Sequence, residues 1–289
     1  MKKILFSLLL SFVAWQTARA QVVVEVTLEQ EQFLPGESMP AAIRVSNRSG
    51  RTLALGGEAD WLTFSIQSRE GALVSRNGEV PVVGAFSLDS ASVATKRVNL
   101  APYFSLTKPG HYFVTATVRL KEWDGTANSP PKAFDVIDGT KIWSQEFGVP
   151  VIGDATNQPP EVRHYALLQA NYLRSELRLY FRLTDASDAK VMKVFALGQI
   201  VSFARPDAEV DGQSRLHVLH QNGARTSIYT VVTPDGDIAV RQLYEFGNAR
   251  PQLRADDSGK ISVAGGIRRT TSGDIPAKKI EDESKPAKP

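Results

Sequence analysis

The clearest strand pattern in the first half of the chain is Gly110-His111-Tyr112-Phe113-Val114-Thr115-Ala116-Thr117-Val118-Arg119-Leu120. Apolar residues occupy every second position from Tyr112 to Leu120, and the positions between them are polar except for Phe113. Alternation with a period of two is typical of a β-strand that buries one face in a core and exposes the other to water. The stretch therefore predicts a half-buried strand.

The same alternation recurs earlier in the chain. It is present in three further runs: Val22 to Leu28, Ile43 to Val45, and Leu62 to Ile66. Turn-forming sequences separate the runs: Pro35-Gly36, Asn47 to Gly50, Asn77-Gly78 and Pro109-Gly110. Short antiparallel strands at this spacing indicate an all-β fold, in the form of a sandwich of two sheets.

A turn and a tyrosine precede the strongest strand, in the sequence Leu106-Thr107-Lys108-Pro109-Gly110-His111-Tyr112. This order resembles the tyrosine corner of immunoglobulin-like and fibronectin-like domains, in which the tyrosine hydroxyl bonds to backbone upstream. Together with residues 33–37 and 45–47, it makes residues 21–152 resemble a bacterial exported immunoglobulin-like β-sandwich domain. The resemblance implies a fold. It implies no single function, because similar domains serve as adhesion modules, spacers, inhibitors and accessory parts of exported enzymes.

Two features depart from the antibody form of that domain. The chain has no cysteine, so the disulfide between the sheets is absent. Trp61 lies on the opposite parity from Leu62, Phe64 and Ile66. We therefore do not expect Trp61 to be the buried core tryptophan of such a domain.

The second half contains a sequence repeat with a spacing of 45 residues. The matched pairs are Arg205 and Arg250, Pro206 and Pro251, Asp211 and Asp256, Leu216 and Ile261, and Val218 and Val263. With a weaker copy upstream, the chain holds about two and a half units. The match predicts that the two prolines begin equivalent strands and that the two aspartates lie at equivalent hairpin turns.

The repeat has the size of a β-propeller blade. Strands predicted at residues 216–221, 226–233 and 238–246 are joined by turns at Asn222-Gly223 and Pro234-Asp235-Gly236. The likeness to a blade of four strands is weak, because a propeller typically needs at least four blades. Either several chains complete a ring, or the units form an open antiparallel meander. We favour the open arrangement.

The first twenty residues predict export. Lys2 and Lys3 precede an apolar run, and Ala18-Arg19-Ala20 precedes Gln21, which is typical of a cleavable secretory signal. The run is about a dozen residues long, whereas a spanning helix needs about 20. We therefore expect cleavage after residue 20, no membrane insertion, and a periplasmic or secreted protein.

The net charge bears on the kind of partner, and the lack of cysteine bears on how each domain is stabilised. Without the three basic residues of the signal, the number of lysines and arginines equals the 31 acidic residues. The charge balance therefore favours neither nucleic acid nor an anionic membrane as a partner. Because disulfides cannot form, each domain must be stabilised by its own apolar core.

Composition along the chain predicts five segments. Residues 1–20 form the signal, residues 21–152 the sandwich, and residues 161–269 a second antiparallel domain. Between the two domains, residues 153–160 lack periodicity and end in paired prolines, which predicts a linker. Residues 270–289 are polar and charged and predict a disordered tail.

No catalytic, cofactor-binding or metal-binding residue is predicted. His217 and His220 are three residues apart, a spacing that places them on opposite faces of a strand. Six aspartates could be taken for paired carboxylates, but they lie in turn sequences that favour aspartate for local hydrogen bonds: Asp185, Asp188, Asp235, Asp237, Asp256 and Asp257. We therefore predict that the protein is not an enzyme and needs no cofactor.

Aromatic residues give two candidate binding surfaces. Residues 123–141 form a long loop in the prediction, and Trp123, Phe134 and the nearby Trp143 are candidate anchors for a partner. The alternative is that these three side chains cap an open end of the core. A second set could stack on sugars but is better explained as core: Tyr165, Tyr172, Tyr180, Tyr229 and Tyr244.

The sequence thus predicts an exported, non-enzymatic binding or structural module of the bacterial cell envelope, whose partner is another envelope protein or a glycan. It leaves the oligomeric state open. One alternative is an accessory or degenerate enzyme acting on polysaccharide, which would have a groove with a perturbed carboxylate. Another is an inhibitor or chaperone-like partner of an exported protein, which would have an exposed apolar patch or an unprotected edge strand.

Overall fold

The computed structural model of the protein describes residues 22–149 and 161–276. The signal predicted at residues 1–20 and the linker predicted at residues 153–160 lie outside these residues. The described chain contains strands, turns and two short 3-10 helices, and no α-helix. The prediction of an all-β fold is confirmed. The chain divides between Val136 and Ile137 into two compact units.

In residues 22–136, the described part of the first unit, there are ten strands and both 3-10 helices. The strands are β1 (Val22–Leu28), β2 (Gln32–Phe33), β3 (Pro40–Asn47), β4 (Leu53–Leu55), β5 (Leu62–Ser68), β6 (Phe86–Leu88), β7 (Val93–Asn99), β8 (Gly110–Leu120), β9 (Gly125–Asn128) and β10 (Lys132–Val136). The helices, Ala101–Tyr103 and Lys121–Trp123, lie before and after β8. One sheet has the order β1-β3-β7, a second has the order β2-β10-β8-β5 with β9 also paired to β8, and β4 pairs with β6.

Strand β8 occupies the place that its alternation predicts. It pairs with β5 on one side and β10 on the other. Its alternate residues from Tyr112 to Leu120 are buried in one core with residues of β1 and β3, so the two sheets face each other. The Tyr112 hydroxyl donates a hydrogen bond to the Lys108 carbonyl oxygen, at 2.8 Å. The hydrogen bond expected of a tyrosine corner is therefore present.

The expectation that Trp61 lies outside the core is wrong. Trp61 is only 5% exposed, packs edge-on against Phe86, and donates its indole N–H to the Val82 carbonyl oxygen at 3.0 Å. The residue precedes β5, which begins at Leu62. The strand alternation on which the expectation rests therefore does not extend to Trp61.

The second unit contains eleven strands among its described residues. They are β11 (Thr140–Gly148), β12 (Val162–Tyr172), β13 (Glu176–Asp185), β14 (Val191–Gln199), β15 (Asp207–Val210), β16 (Leu216–Gly223), β17 (Thr226–Val232), β18 (Ile238–Glu245), β19 (Gln252–Ala255), β20 (Ile261–Ala264) and β21 (Ile267–Arg269). Strands β11 to β14 form one antiparallel meander. Strands β15 to β18 form a second meander, which β21 extends, and β19 and β20 form a separate hairpin. These sheets are open within the described chain.

The boundary between the units lies earlier than residues 153–160. The strand predicted to end the sandwich, near residues 142–151, is β11, and it pairs with β12 in the second unit. Phe147 of β11 stacks on Tyr165 of β12, with ring centroids 3.9 Å apart. The proline-containing segment therefore connects two paired strands of the second unit, a role that its sequence cannot distinguish from a linker between domains.

The 45-residue repeat is confirmed as a structural repeat. The two hairpins have the same register: Asp207 opposite Leu219 and Val210 opposite Leu216 in the first, Gln252 opposite Ala264 and Ala255 opposite Ile261 in the second. In the connecting turns, Ser214 and Gly259 occupy the same place, with positive φ angles of 59° and 77°. Leu216 and Val218 are fully buried, and Ile261 and Val263 pack in a neighbouring cluster.

Two details of the second unit differ from prediction. The β16–β17 hairpin turns at residues 224–225, because Gly223 is still paired with Thr226. The disordered tail was predicted from residue 270, but Ile275 pairs with Arg241 through two backbone hydrogen bonds, and Asp274 is buried. Thr271 donates its N–H and hydroxyl to Asp274. A tail from residue 270 therefore starts too early, and its remainder lies outside the described residues.

Candidate functional site

The two copies of the repeat meet at a pocket in the second unit. The pocket has a volume of about 290 Å³ and is lined by Phe203, Ala204, Arg205, Asp207, Leu219, Gln221, Ser227, Arg250, Pro251 and Gln252. It contains both repeat arginines because β15 and β19 contact each other and each strand is preceded by an Arg-Pro pair. We call it the two-arginine pocket.

One arginine of the pocket is fixed by hydrogen bonds. Arg250 Nη2 donates to Gln221 Oε1 at 3.1 Å, and its guanidinium lies 5.7 Å from the centre of the Phe246 ring. Gln221 is buried, and its amide nitrogen donates to the carbonyl oxygens of Gly223 and Ala224 at 2.8 and 3.2 Å. The end of β16 therefore holds Arg250 against the pocket wall.

The other side of the pocket presents Arg205 and Phe203 to solvent. Arg205 is exposed and makes no ion pair or side-chain hydrogen bond with any residue in the described ranges. Phe203 is 85% exposed, more than any other large apolar side chain of the described chain. Its turn is fixed by two backbone hydrogen bonds of 3.1 Å, from Val201 N–H to the Gln221 carbonyl and from Ala204 N–H to the Val201 carbonyl. Phe203 is thus an exposed ring on an anchored turn.

The charge of the pocket favours anions. Its lining residues supply two guanidinium groups and one carboxylate, that of Asp207. A guanidinium stays protonated throughout the physiological pH range and can pair with a carboxylate through two parallel hydrogen bonds. The volume lies near the lower end of the range for small-molecule sites, which suits one charged group and one ring rather than a large ligand.

The candidate anchors Trp123, Phe134 and Trp143 do not form one loop surface. Residues 123–141 include β9 and β10, and Phe134 on β10 is 2% exposed and stacks on Tyr112 with centroids 5.7 Å apart. Trp123 packs against the core of the first unit and Trp143 against the core of the second. The packing matches the alternative in which these side chains cover the core.

The five tyrosines are also core residues rather than a sugar-stacking surface. Tyr165 and Tyr180 are fully buried, Tyr172 and Tyr229 are 8% exposed, and Tyr244 packs against the cluster around Tyr229. Burial raises the pKa of Tyr229 to about 12. The preference for a core role is therefore confirmed.

The two neighbouring histidines lie on opposite faces of β16, as predicted. His217 Nδ1 lies 2.7 Å from the Tyr229 hydroxyl, and its Nε2 lies 3.0 Å from Asp211 Oδ2. His220 lies on the other face, near the Cα of Gly198 and the side chain of Ile228. Hydrogen bonds from His217 and Arg215 outweigh burial and lower the pKa of Asp211 to about 2. His217 is therefore hydrogen-bonded to both Asp211 and Tyr229, and none of the three lines the two-arginine pocket.

The turn aspartates make hydrogen bonds within their turns or ion pairs at the surface. Asp185, Asp188 and Asp256 accept hydrogen bonds within their own turns, from Lys190, Thr184 and Ser258. Asp235 and Asp237 pair with Arg163 and Lys193, and Asp257 is exposed. These contacts are those of turn and surface residues.

A cavity of about 360 Å³ in the first unit is another candidate ligand site. It is lined by Trp61 and Phe86, and its charged residues are Glu58, Arg119 and Lys121. Lys121 pairs with Glu58, and Arg119 pairs with Asp60. Because its cations already have carboxylate partners, this cavity has less unmatched charge to attract a ligand.

The described residues contain no group of three or more His, Cys, Asp or Glu side chains arranged to hold a metal ion. Within the same residues, no helix has the length and apolar character needed to cross a membrane.

The two-arginine pocket was not predicted from the sequence, although the repeat contains both of its arginines. The repeat brought Arg205-Pro206 and Arg250-Pro251 to attention as strand starts. Packing of β15 beside β19 brings the two arginines together, and that packing cannot be derived from either copy alone.

No protein-family model and no curated protein matches the chain. Among solved structures, the sporulation control protein Spo0M from Bacillus subtilis is similar at 9% sequence identity, over 62% of this chain and 91% of that one, with a TM-score of 0.32. A likeness this weak carries no argument about fold or function.

Proposed function

We propose that the protein is an exported binding module of the bacterial cell envelope and that its two-arginine pocket binds an acidic glycan. The observation that carries the proposal is the convergence of Arg205 and Arg250 beside the exposed ring of Phe203, in a pocket with one carboxylate. Such a pocket offers an unmatched positive charge next to an apolar surface.

A uronate-type sugar fits these two features at once. Its carboxylate pairs with a guanidinium through charge-assisted hydrogen bonds, which are stronger than neutral ones. The C–H face of its ring packs on the exposed Phe203, an aromatic side chain that offers a large, rigid apolar surface. Sugar hydroxyls find hydrogen-bonding groups in Ser227 and Gln252 on the pocket wall.

The pocket is better suited to binding a glycan than to cleaving it. Glycoside hydrolysis ordinarily uses two carboxyl groups on opposite sides of the scissile bond. Among the residues that line the pocket, only Asp207 carries a carboxyl group. We therefore propose a binding role for the pocket and no hydrolysis.

The first unit supports a role as an interaction or spacer module. The sheet β1-β3-β7 facing β10-β8-β5, together with the Tyr112 hydrogen bond, supports the proposal that this unit is an immunoglobulin-like sandwich. Export rests on the sequence of residues 1–20. If the protein is exported, N-terminal sequencing should show that the secreted protein begins at or near Gln21. Cytoplasmic protein that retains Met1 would contradict export.

Calorimetric titration with trigalacturonate, and with its methyl ester as a neutral match, tests the binding proposal. We expect the acid to bind at least roughly tenfold more tightly than the ester, because a charge-assisted hydrogen bond contributes about 1.5–3 kcal/mol. Arg205→Ala should weaken acid binding by a similar factor, and Phe203→Ala should weaken both ligands.

The matched control is Arg254→Ala, since Arg254 is exposed on β19 but does not line the pocket. This variant should bind like the wild type. If the wild type binds no uronate, sulfated or phosphorylated oligosaccharide, or binds acid and ester equally, the proposed function is wrong.

A further inference from the structure

Three polar side chains lie on the face of the sheet that packs on the apolar core of the second unit, and two of them have no hydrogen-bond partner within the described residues. They are His220 on β16, Thr230 on β17 and Arg241 on β18. Thr230 lies directly opposite Arg241 in the β17–β18 register, and His220 is paired with Ile228, two residues from Thr230. The three side chains therefore share one face of the sheet, continuous with the buried Val218 and Val232.

Burial of His220 and Thr230 without hydrogen-bond partners lowers the stability of the folded protein. His220 and Thr230 are 0% exposed, and neither ring nitrogen of His220 nor Oγ1 of Thr230 has a hydrogen-bond partner within the described residues. A buried polar group without a partner loses the free energy of its bonds to water and gains nothing in return. Burial and the Arg241 charge lower the pKa of His220 to about 4, although the nearby Gln199 backbone opposes the shift.

Arg241 brings a positive charge to the same place. Its side chain is half-buried, and burial alone lowers its pKa, with no described carboxylate close enough to oppose that effect. Buried charges in proteins are ordinarily paired. The guanidinium therefore lacks a counter-charge among the described residues.

Gly198 on β14 leaves room beside these groups. A Cβ atom on this glycine would lie 3.4 Å from Arg241 Nη2, 3.8 Å from His220 Nε2 and 3.7 Å from Ile228 Cδ1. The φ angle of Gly198 is 129°, in the region that favours glycine. Gly198 thus places no side chain beside the guanidinium and the imidazole.

We infer that this cluster, Gly198, His220, Thr230 and Arg241, is a binding site for a small monatomic anion such as chloride. The ion supplies the counter-charge for Arg241 and accepts hydrogen bonds from the imidazole and the threonine hydroxyl. We choose a monatomic ion because it is smaller than a polyatomic anion such as sulfate, and because the side chain of Ile228 lies on the same face beside His220. The site lies on the opposite face of the β16–β18 sheet from Tyr229 and is independent of the proposed glycan pocket.

Thermal unfolding in sodium chloride against sodium gluconate, at constant ionic strength, tests the inference, with ³⁵Cl line broadening as a direct readout of binding. The wild type should show a midpoint that rises saturably with chloride and with bromide. Arg241→Met should abolish the dependence. Thr230→Val should keep or raise stability without chloride, because it removes an unsatisfied hydroxyl, while weakening the chloride effect severalfold.

Arg254→Met is the control for loss of an arginine and should retain the full chloride dependence. Equal midpoints in chloride and gluconate for the wild type, or an undiminished chloride effect in Thr230→Val, would show that the space holds at most a water molecule and overturn the inference. If Arg241→Met does not fold, Thr230→Val still decides. Since none of these measurements uses a glycan, they are independent of the proposed function.

Discussion

Asp211 and Asp256 make the same two backbone hydrogen bonds in hairpins 45 residues apart, yet only Asp211 is buried. Asp211 Oδ1 accepts the N–H groups of Gln213 and Arg215, and Asp256 Oδ1 accepts those of Ser258 and Lys260. The Asp211 side chain is 5% exposed and also contacts Arg215 and His217 through Oδ2. The two hairpins thus share one turn geometry, but the carboxylate is buried beside charged groups in the first and exposed to water in the second.

This difference predicts unequal effects of the same substitution. Asp211→Asn keeps the shape of the side chain but removes the charge that faces Arg215 and His217, and we expect a loss of about 2 kcal/mol in the free energy of unfolding at pH 7. Asp256→Asn should change stability far less, because that carboxylate is exposed to water. Urea denaturation of both variants measures the difference. Equal losses would show that burial of the Asp211 carboxylate contributes nothing.

The same pair predicts a pH dependence. The folded pKa of Asp211, about 2, lies below its value in an unfolded chain, about 3.9, so its charge stabilises the folded protein above the unfolded pKa. That contribution should decline as the pH falls from about 5 through the folded pKa. The stability gap between wild type and Asp211→Asn should therefore narrow between pH 5 and pH 2.5. A gap that stays constant over this range would contradict a role for the charge.

The tyrosine corner gives a prediction for the first unit. Tyr112→Phe removes the hydroxyl that bonds to the Lys108 carbonyl at 2.8 Å, and should lower the free energy of unfolding by about 1 kcal/mol. Tyr103→Phe is the control, because the half-buried Tyr103 packs against the same core but its hydroxyl has no hydrogen bond to a residue in the described ranges. Chemical denaturation should separate the two variants; equal stabilities would mean that the corner bond contributes nothing.

The strands that the sequence predicts best are those whose alternation is long and whose turns are local. Strand β8 and the hairpins of the repeat depend on period-two patterning and on turn residues within a few positions, so they could be predicted. The unit to which β11 belongs could not be predicted, because it depends on the pairing of β11 with β12, which lies beyond residues 150–160. Trp61 was misplaced since alternation has no meaning outside the strand that begins at Leu62.

Candidate sites were harder to predict for the same physical reason. Aromatic residues such as Phe134 and Tyr180 resemble binding residues in sequence, but their burial depends on which sheet covers them. Arg205 and Arg250 come together only because β15 and β19 pack side by side. A sequence repeat indicates equivalent positions within each copy, whereas a pocket between copies depends on their packing.

Alanine substitutions at two glycines of the first unit can distinguish the effect of backbone strain from that of steric overlap. Gly50 and Gly56 both have a φ angle of 79°, so alanine at either position pays the cost of the left-handed region, roughly 1–2 kcal/mol. An alanine Cβ at Gly50 would meet nothing within 4 Å, but at Gly56 it would lie 2.0 Å from the Gly84 carbonyl oxygen. Gly84 also donates its N–H to the Gly56 carbonyl at 2.9 Å, so the two segments cannot separate without losing that bond.

Gly56→Ala should therefore destabilise the first unit by about 1–3 kcal/mol more than Gly50→Ala, as expected of overpacking added to strain. Thermal or urea unfolding of the two variants, compared with the wild type, measures the difference directly. Because φ is the same at both positions, strain cancels in the comparison and the remainder reports the contact between Gly56 and Gly84. If the two variants were equally stable, the Gly56–Gly84 approach would have to relax at no cost, and these two segments would not be rigidly held beside Trp61 and Phe86.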